Sequence, residues 1–159
     1  SKTFNLAGFY LSNVIIPKET LREKFASQVQ RLGNAHSNVF APIAAEAAYR
    51  YGGPWLDELL DYLDENASYV QRELAKIAPK IKVVKPEGTF VLWLDCRELG
   101  LPSEELNQFF VEKARLALND GSAFGESGAG YLRMNIGCPR SLLEEAMKRL
   151  AQALEGYKK

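Results

Sequence analysis

The stretch Thr89-Phe90-Val91-Leu92-Trp93-Leu94, residues 89–94, follows the turn residues Pro86-Glu87-Gly88 and decides the fold. It is rich in aromatic and β-branched residues and bounded by turn formers, which reads as a strand. A shorter strand, Ile81–Val84, precedes it across the turn, so the two pair locally. Downstream, Tyr131–Ile136 reads as a further strand.

Helices frame these strands. Pro54 opens the longest, whose stripe of Leu56, Leu59, Leu60, Leu63, Ala67, Val70, Leu74 and Ile77 recurs at helical spacing until Pro79. Its acidic residues, Asp57, Glu58, Asp61, Asp64 and Glu65, read as a solvated face rather than paired catalytic carboxylates. Ser103 is placed to cap a helix from Glu104 to Ala114, and a short apolar piece, Leu116–Leu118, follows. Ser141 and Glu144 match a capping box for a last helix with Leu142, Leu143, Met147, Leu150 and Leu154 apolar. The order helix, strand, strand, helix, short strand, strand, helix predicts a small α+β domain over 54–159, its helices on one face of the sheet.

The part before Gly53 is different. Phe9–Ile16 reads as a strand closed by Pro17. Leu21, Phe25, Val29 and Leu32 then make a helix up to Gly33, Asn34–Asn38 reads as a loop, and Ala41–Tyr51 as a second helix. A single strand makes no sheet. Its partners are therefore expected upstream of Ser1 or in another chain, with Leu6, Phe9 and Val14 partly exposed and residues 1–53 less well ordered. The start also lacks an initiator Met and any signal-peptide character, so the chain reads as beginning inside a longer protein.

Composition narrows the function. The 159 residues are 47% hydrophobic and 25% charged, and 20 basic residues balance 20 acidic ones. Zero net charge argues against nucleic-acid or membrane-surface binding driven by bulk charge. Two cysteines, Cys96 and Cys138, and the single His36 fit neither a disulfide framework nor a standard zinc spacing. They point to a reducing, cytoplasmic setting.

Three places carry candidate chemistry. Lys2 is ordinarily a solvated charge; its alternative is a lysine that forms an imine with a carbonyl and moves protons. Gly121–Gly130 reads as a plain loop, with a backbone phosphate cradle as alternative, although it lacks a P-loop ending. Arg133 shares one strand face with Tyr131 and Asn135. It would ordinarily meet solvent or an acid, and its alternative is a bidentate carboxylate clamp. His36 reads as a loop histidine without a catalytic role, since no nucleophile elbow occurs. A non-enzymatic reading, an association module from about Pro54 onward, stands beside these.

Several separated stretches together resemble one family. They are Ser1-Lys2-Thr3-Phe4-Asn5-Leu6-Ala7-Gly8, Val14-Ile15-Ile16-Pro17, Ala44–Gly52, Pro86–Arg97 and Leu132–Arg140. In order, and over essentially the whole chain, they resemble the cystathionine β-lyases of the MalY/PatB type, among the class I/II aminotransferases with the type-I fold of pyridoxal-phosphate (PLP) enzymes. The resemblance implies an α/β protein with residues 1–53 at the end of a large PLP-binding domain and 54–159 as the small C-terminal domain. It implies that Lys2 bonds PLP and moves the substrate Cα proton, that Ser1 lies near the cofactor phosphate, and that Arg133 holds the substrate α-carboxylate. The implied reaction is C–S β-elimination on a sulfur amino acid, cystathionine giving homocysteine, pyruvate and ammonia, in a homodimer. Many aminotransferases of this fold carry an arginine eight residues after the lysine; Tyr10 stands there, which favours the lyase over the aminotransferase alternative. The family's other cofactor contacts lie upstream of the lysine, so this chain alone is expected to be inactive or nearly so.

Overall fold

The computed structural model describes residues 1–33 and 38–156. His36 and all of the Asn34–Asn38 loop except Asn38 lie outside them. The chain forms two compact units, Ser1–Leu59 and Leu60–Lys159.

In the first unit a 3-10 turn, Ala7–Phe9, leads to α1 (Glu19–Arg31), α2 (Phe40–Tyr51) and the start of α3 (Gly53–Ile77). Helix α1 ends as its sequence predicts, with Gly33 at φ +72°. The expected strand at Phe9–Ile16 does not form. Phe9 belongs to the 3-10 turn, and Tyr10 caps that turn in the left-handed conformation at φ 53°. Residues 10–16 join no sheet, because the sheet among the described residues lies in the second unit. β-Propensity alone makes no strand without a ladder partner. The Arg22 guanidinium instead donates to the Ile16 and Pro17 carbonyls at 3.0 and 3.4 Å. Leu6 and Phe9 are half-buried and Val14 is exposed, as expected.

The second unit holds an antiparallel sheet in the order β1-β2-β4-β3. Its strands are β1 (Lys82–Val84), β2 (Val91–Asp95), β3 (Asn119–Asp120) and β4 (Tyr131–Asn135). Period-2 alternation divides the sheet. Leu92, Leu94, Leu132 and Met134 are buried, while Val91, Trp93, Asp95, Tyr131, Arg133 and Asn135 form the open face. The buried face shares a core with Val70 and Leu74 of α3, Leu106 of α4 (Ser103–Gln108), and Leu143, Met147 and Leu150 of α5 (Arg140–Glu155). Asp57, Glu58, Asp61, Asp64 and Glu65 of α3 are exposed, as its amphipathic pattern predicts.

Three details depart from the sequence reading. Helix α4 continues as a π-helical turn, Phe109–Lys113, closed by the Ala114 N–H on the Phe109 carbonyl at 3.1 Å. The wider turn lets the adjacent Phe109 and Phe110 both be buried, edge to face with centroids 5.6 Å apart. The short strand falls at Asn119–Asp120, just beyond the apolar Leu116–Leu118 piece. Neither serine caps its helix: α4 and α5 start at Ser103 and Arg140, after Pro102 and Pro139. The orphan Arg140 N–H of α5 reaches the Tyr62 hydroxyl at 2.7 Å, so this cap comes from α3 rather than from the local sequence.

The junction of β4 and α5 is built around Asn66, which is fully buried. Its amide donates to the Ile136 and Cys138 carbonyls at 2.9 and 3.2 Å and accepts from Arg140 Nε at 2.8 Å. The Arg140 guanidinium lies 4.7 Å from the centroid of Tyr69. An asparagine carries both donors and an acceptor, so one side chain satisfies all three groups.

Candidate functional site

Arg133 sits mid-strand on the open face of the sheet. Trp93 of β2 faces it directly on one side and Asn119 of β3 on the other. Its Nη2 donates to Asn119 Oδ1 at 3.0 Å, and its guanidinium carbon lies 4.6 Å from the Phe124 ring centroid. Trp93 stacks on Tyr131 at 5.5 Å and meets Phe124 edge-on at 5.7 Å. Among the described residues no carboxylate forms an ion pair with Arg133. The neighbouring Asp95 is engaged by Arg97 through two side-chain bonds of 2.9 and 2.7 Å. These hold the Asp95 carboxyl below its ordinary value despite some desolvation. The result is a half-buried cation, held at its side by a neutral amide and on one face by an aromatic ring, with its charge uncompensated. That is the chemistry of an anion receptor, and a planar fork suits a carboxylate.

In the glycine-rich segment, five backbone amides are taken by the protein itself and are not left for a phosphate. The Ser122 N–H binds Asp120 Oδ1 at 2.9 Å, Gly125 the Ser122 carbonyl at 3.1 Å, and Gly128 the Gly125 carbonyl at 2.9 Å. The Ala129 N–H takes the Glu126 carbonyl at 3.1 Å, and Gly130 takes Ser103 Oγ at 3.3 Å. Two 3-10 turns, Gly121–Phe124 and Glu126–Gly128, pack backbone to backbone. A Cβ on Gly121 would collide with the Gly128 carbonyl oxygen, and one on Gly128 with that of Gly121. What this double turn delivers is Phe124, set over Arg133.

Lys2 lies in the first unit, exposed, in a turn closed by the Leu6 N–H on the Ser1 carbonyl at 2.9 Å and the Asn5 N–H on the Lys2 carbonyl at 3.3 Å. Phe4 anchors this turn against Tyr49 and Trp55, both at 6.0 Å between centroids. Gly52 makes room for it, since a Cβ there would come within 2.6 Å of the Phe4 ring. Ser1 lines a cleft of about 30 Å³ with Leu6, Phe9, Leu11, Ala41 and Tyr49. Tyr10 is 94% exposed. Lys2 with Ser1, and Arg133, thus belong to different units, each ordered by its own neighbours.

The cysteines take no part in this chemistry. Both are free thiols. Burial, with Asp95 adjacent, pushes the Cys96 thiol up to about 12, and burial raises Cys138 as well. The described residues contain no acid, histidine and cysteine cluster fit for a metal, and no helix among them is long and apolar enough to cross a membrane.

Sequence reasoning reached Arg133 but missed Asn119, Phe124 and Trp93. Alternation along β4 paired Arg133 with Tyr131. The cross-strand register, however, has no signal in a two-residue strand.

The chain belongs to the class I and II aminotransferase family, whose model matches residues 1–150. It is similar to cystathionine β-lyase PatB of Bacillus subtilis, 41% identical across 97% of this chain and 40% of that protein. It is also similar to protein MalY of Escherichia coli, 33% identical across 99% and 41%. Among solved structures it resembles cystalysin from Treponema denticola, which contains PLP, with a TM-score of 0.93 and 32% identity over 98% of this chain and 40% of that one. The chain therefore spans about two fifths of the length of the relatives it matches. The fold these neighbours share is the α/β type-I fold of PLP enzymes.

Proposed function

We propose that this chain supplies the lysine and the carboxylate-binding arginine of a PLP-dependent C–S β-lyase acting on a sulfur amino acid of the cystathionine class. The observation that carries the reading is Arg133, a braced guanidinium whose charge no acid among the described residues cancels. The residues present also fit the carbonyl end of the cofactor. Lys2 offers an exposed amine on an anchored turn, with no ion-pair partner among the described residues, and Ser1 lies beside it as a phosphate contact.

The division of work follows from residue chemistry. Bound PLP supplies the electron sink that makes the substrate Cα proton removable. Arg133 binds the α-carboxylate through its fork, which orients the Cα–H bond. Lys2 would hold the cofactor through its Nζ, and the same amine would accept the substrate Cα proton. The Cβ–S bond then breaks with its electron pair leaving on sulfur, so cystathionine gives homocysteine and, after hydrolysis, pyruvate and ammonia. Identity to PatB and MalY, and Tyr10 in place of an arginine, favour elimination over transamination. The aminotransferase reading is kept as second because an aspartate aminotransferase of Pyrococcus horikoshii is 34% identical over 99% of this chain. The domain division near Gly53, a homodimer and a cytoplasmic setting go with the lyase reading. The chain by itself is proposed to turn over little or no cystathionine.

The test is to add PLP to the chain, reduce with borohydride and map the labelled peptide. Label concentrated on Lys2 supports the assignment. Label scattered over the exposed lysines means that the cofactor site is not formed by this chain, which then acts as a structural part of the enzyme and not as the enzyme. In a protein carrying this chain together with the remaining length of its relatives, pyruvate plus thiol from cystathionine identifies the lyase, and a new amino acid identifies the aminotransferase.

A further inference from the structure

An arginine side chain has four rotatable bonds, and an exposed one samples many rotamers. Arg133 is restrained at two points. The Phe124 ring fixes the plane of the guanidinium, and Asn119 Oδ1 fixes its rotation within that plane. Both restraints have a visible origin in the fold. Strand β3 is only two residues long, yet its pairing sets Asn119 directly across from Arg133, and a directly opposed antiparallel pair brings side chains together on one face. Asp120 then closes the next turn through the Ser122 N–H, and the Gly121 and Gly128 backbone contact sets the height of Phe124. Trp93, directly across on β2, occupies the remaining flank.

The identity of Asn119 matters as much as its place. A neutral amide accepts one of the five guanidinium hydrogens and leaves the cation's charge for a ligand. An aspartate at the same place would hold the fork equally well while cancelling that charge.

We infer that Asn119, together with Phe124, is a positioning residue that sets the Arg133 guanidinium to receive the substrate carboxylate. The inference rests on the proposed role of Arg133 as the carboxylate clamp.

The test uses nitrogen-15 NMR of the arginine side chains in the whole chain, with L-cystathionine as probe. Arg133→Lys identifies the Arg133 signals by their loss. In the unsubstituted chain the Arg133 Nη signals should be resolved by restricted rotation, and cystathionine should shift the Nε–H signal. Asn119 is exposed, so Asn119→Ala should leave the sheet signals in place. It should average the Nη signals and weaken cystathionine binding about tenfold, the scale of one charge-assisted hydrogen bond. Asn119→Asp should keep the restricted Nη signals yet bind cystathionine more weakly than the alanine variant, a combination that general loss of structure would not give. If Asn119→Ala keeps either the restricted signals or full affinity while Arg133→Lys has lost binding, the positioning role is wrong and the clamp stands. If Arg133→Lys binds as well as the unsubstituted chain, or if cystathionine shifts nothing in the unsubstituted chain, the clamp itself is wrong and the inference goes with it.

Discussion

The two units of this chain use similar helices to different ends. In the first, α1 and α2 have apolar stripes, yet Ala41 is the only described side chain of Ser1–Leu59 in the buried apolar core. Phe25, Leu32, Phe40, Ile43, Tyr49 and Trp55 all remain at least 45% exposed. In the second, every strand of the sheet is paired, and the aliphatic face of that sheet is covered by α3, α4 and α5. Local periodicity is enough to make a helix in both places. Only the second unit also supplies the opposing surface that turns a stripe into a core, so stability should be concentrated there.

The sharpest way to break this comparison is a matched pair of truncations. Leu132 is fully buried at the centre of β4, and Leu132→Ala should cost about 3 kcal/mol by lost burial and the cavity left behind. Phe25 on α1 is 45% exposed, and Phe25→Ala should cost less than about 1 kcal/mol. Urea denaturation followed by tryptophan fluorescence measures both, and equal costs would mean that the first unit has a core of its own.

The next largest effect is expected at Asn66. Asn66→Ala strips partners from the Ile136 and Cys138 carbonyls and from Arg140, at a cost of about 2 kcal/mol. Loss of hydrogen-exchange protection should centre on the start of α5. Protection lost evenly across the second unit would contradict a local role.

Caps provide a smaller and more pointed contrast. Tyr62→Phe removes the acceptor of the Arg140 N–H and should cost about 1 kcal/mol. Ser141→Ala should change the melting temperature little, because the Ser141 side chain makes no capping bond. The reverse ranking would restore the local capping box.

The smallest effect is electrostatic. Arg97 lowers the Asp95 carboxyl below its unfolded value, so the pair adds stability above that value, about 3.9. The contribution is lost as pH falls from there through the lower folded value. The pair lies partly in solvent, which keeps the effect small. Asp95→Asn should flatten this acid limb in melts taken below about pH 4 and leave neutral-pH behaviour almost unchanged. An acid limb as steep as before would remove Asp95 from its cause.

Much of this was legible beforehand. Over residues 54–159 the order of helices and strands, the one-sided sheet and the placing of Arg133 beside Tyr131 all follow from periods of 3.6 and 2. The misreadings share one origin. Phe9–Ile16 has strand composition, and Ser141 with Glu144 has cap composition. Each outcome instead turns on a partner distant in the chain: an absent ladder and the Tyr62 hydroxyl.

The sequence by itself determined what is periodic and local: which stretches of the second unit are helix or strand, which faces are apolar, and which family the separated motifs resemble. Tertiary structure alone decided that Asn66 is buried, that a π turn seats two adjacent phenylalanines, and that Asn119 meets Arg133. The Asn66 and Asn119 contacts depend on register between segments 14 to 74 residues apart. Register is set by the summed packing and hydrogen bonding of whole strands and helices, so no single residue announces it.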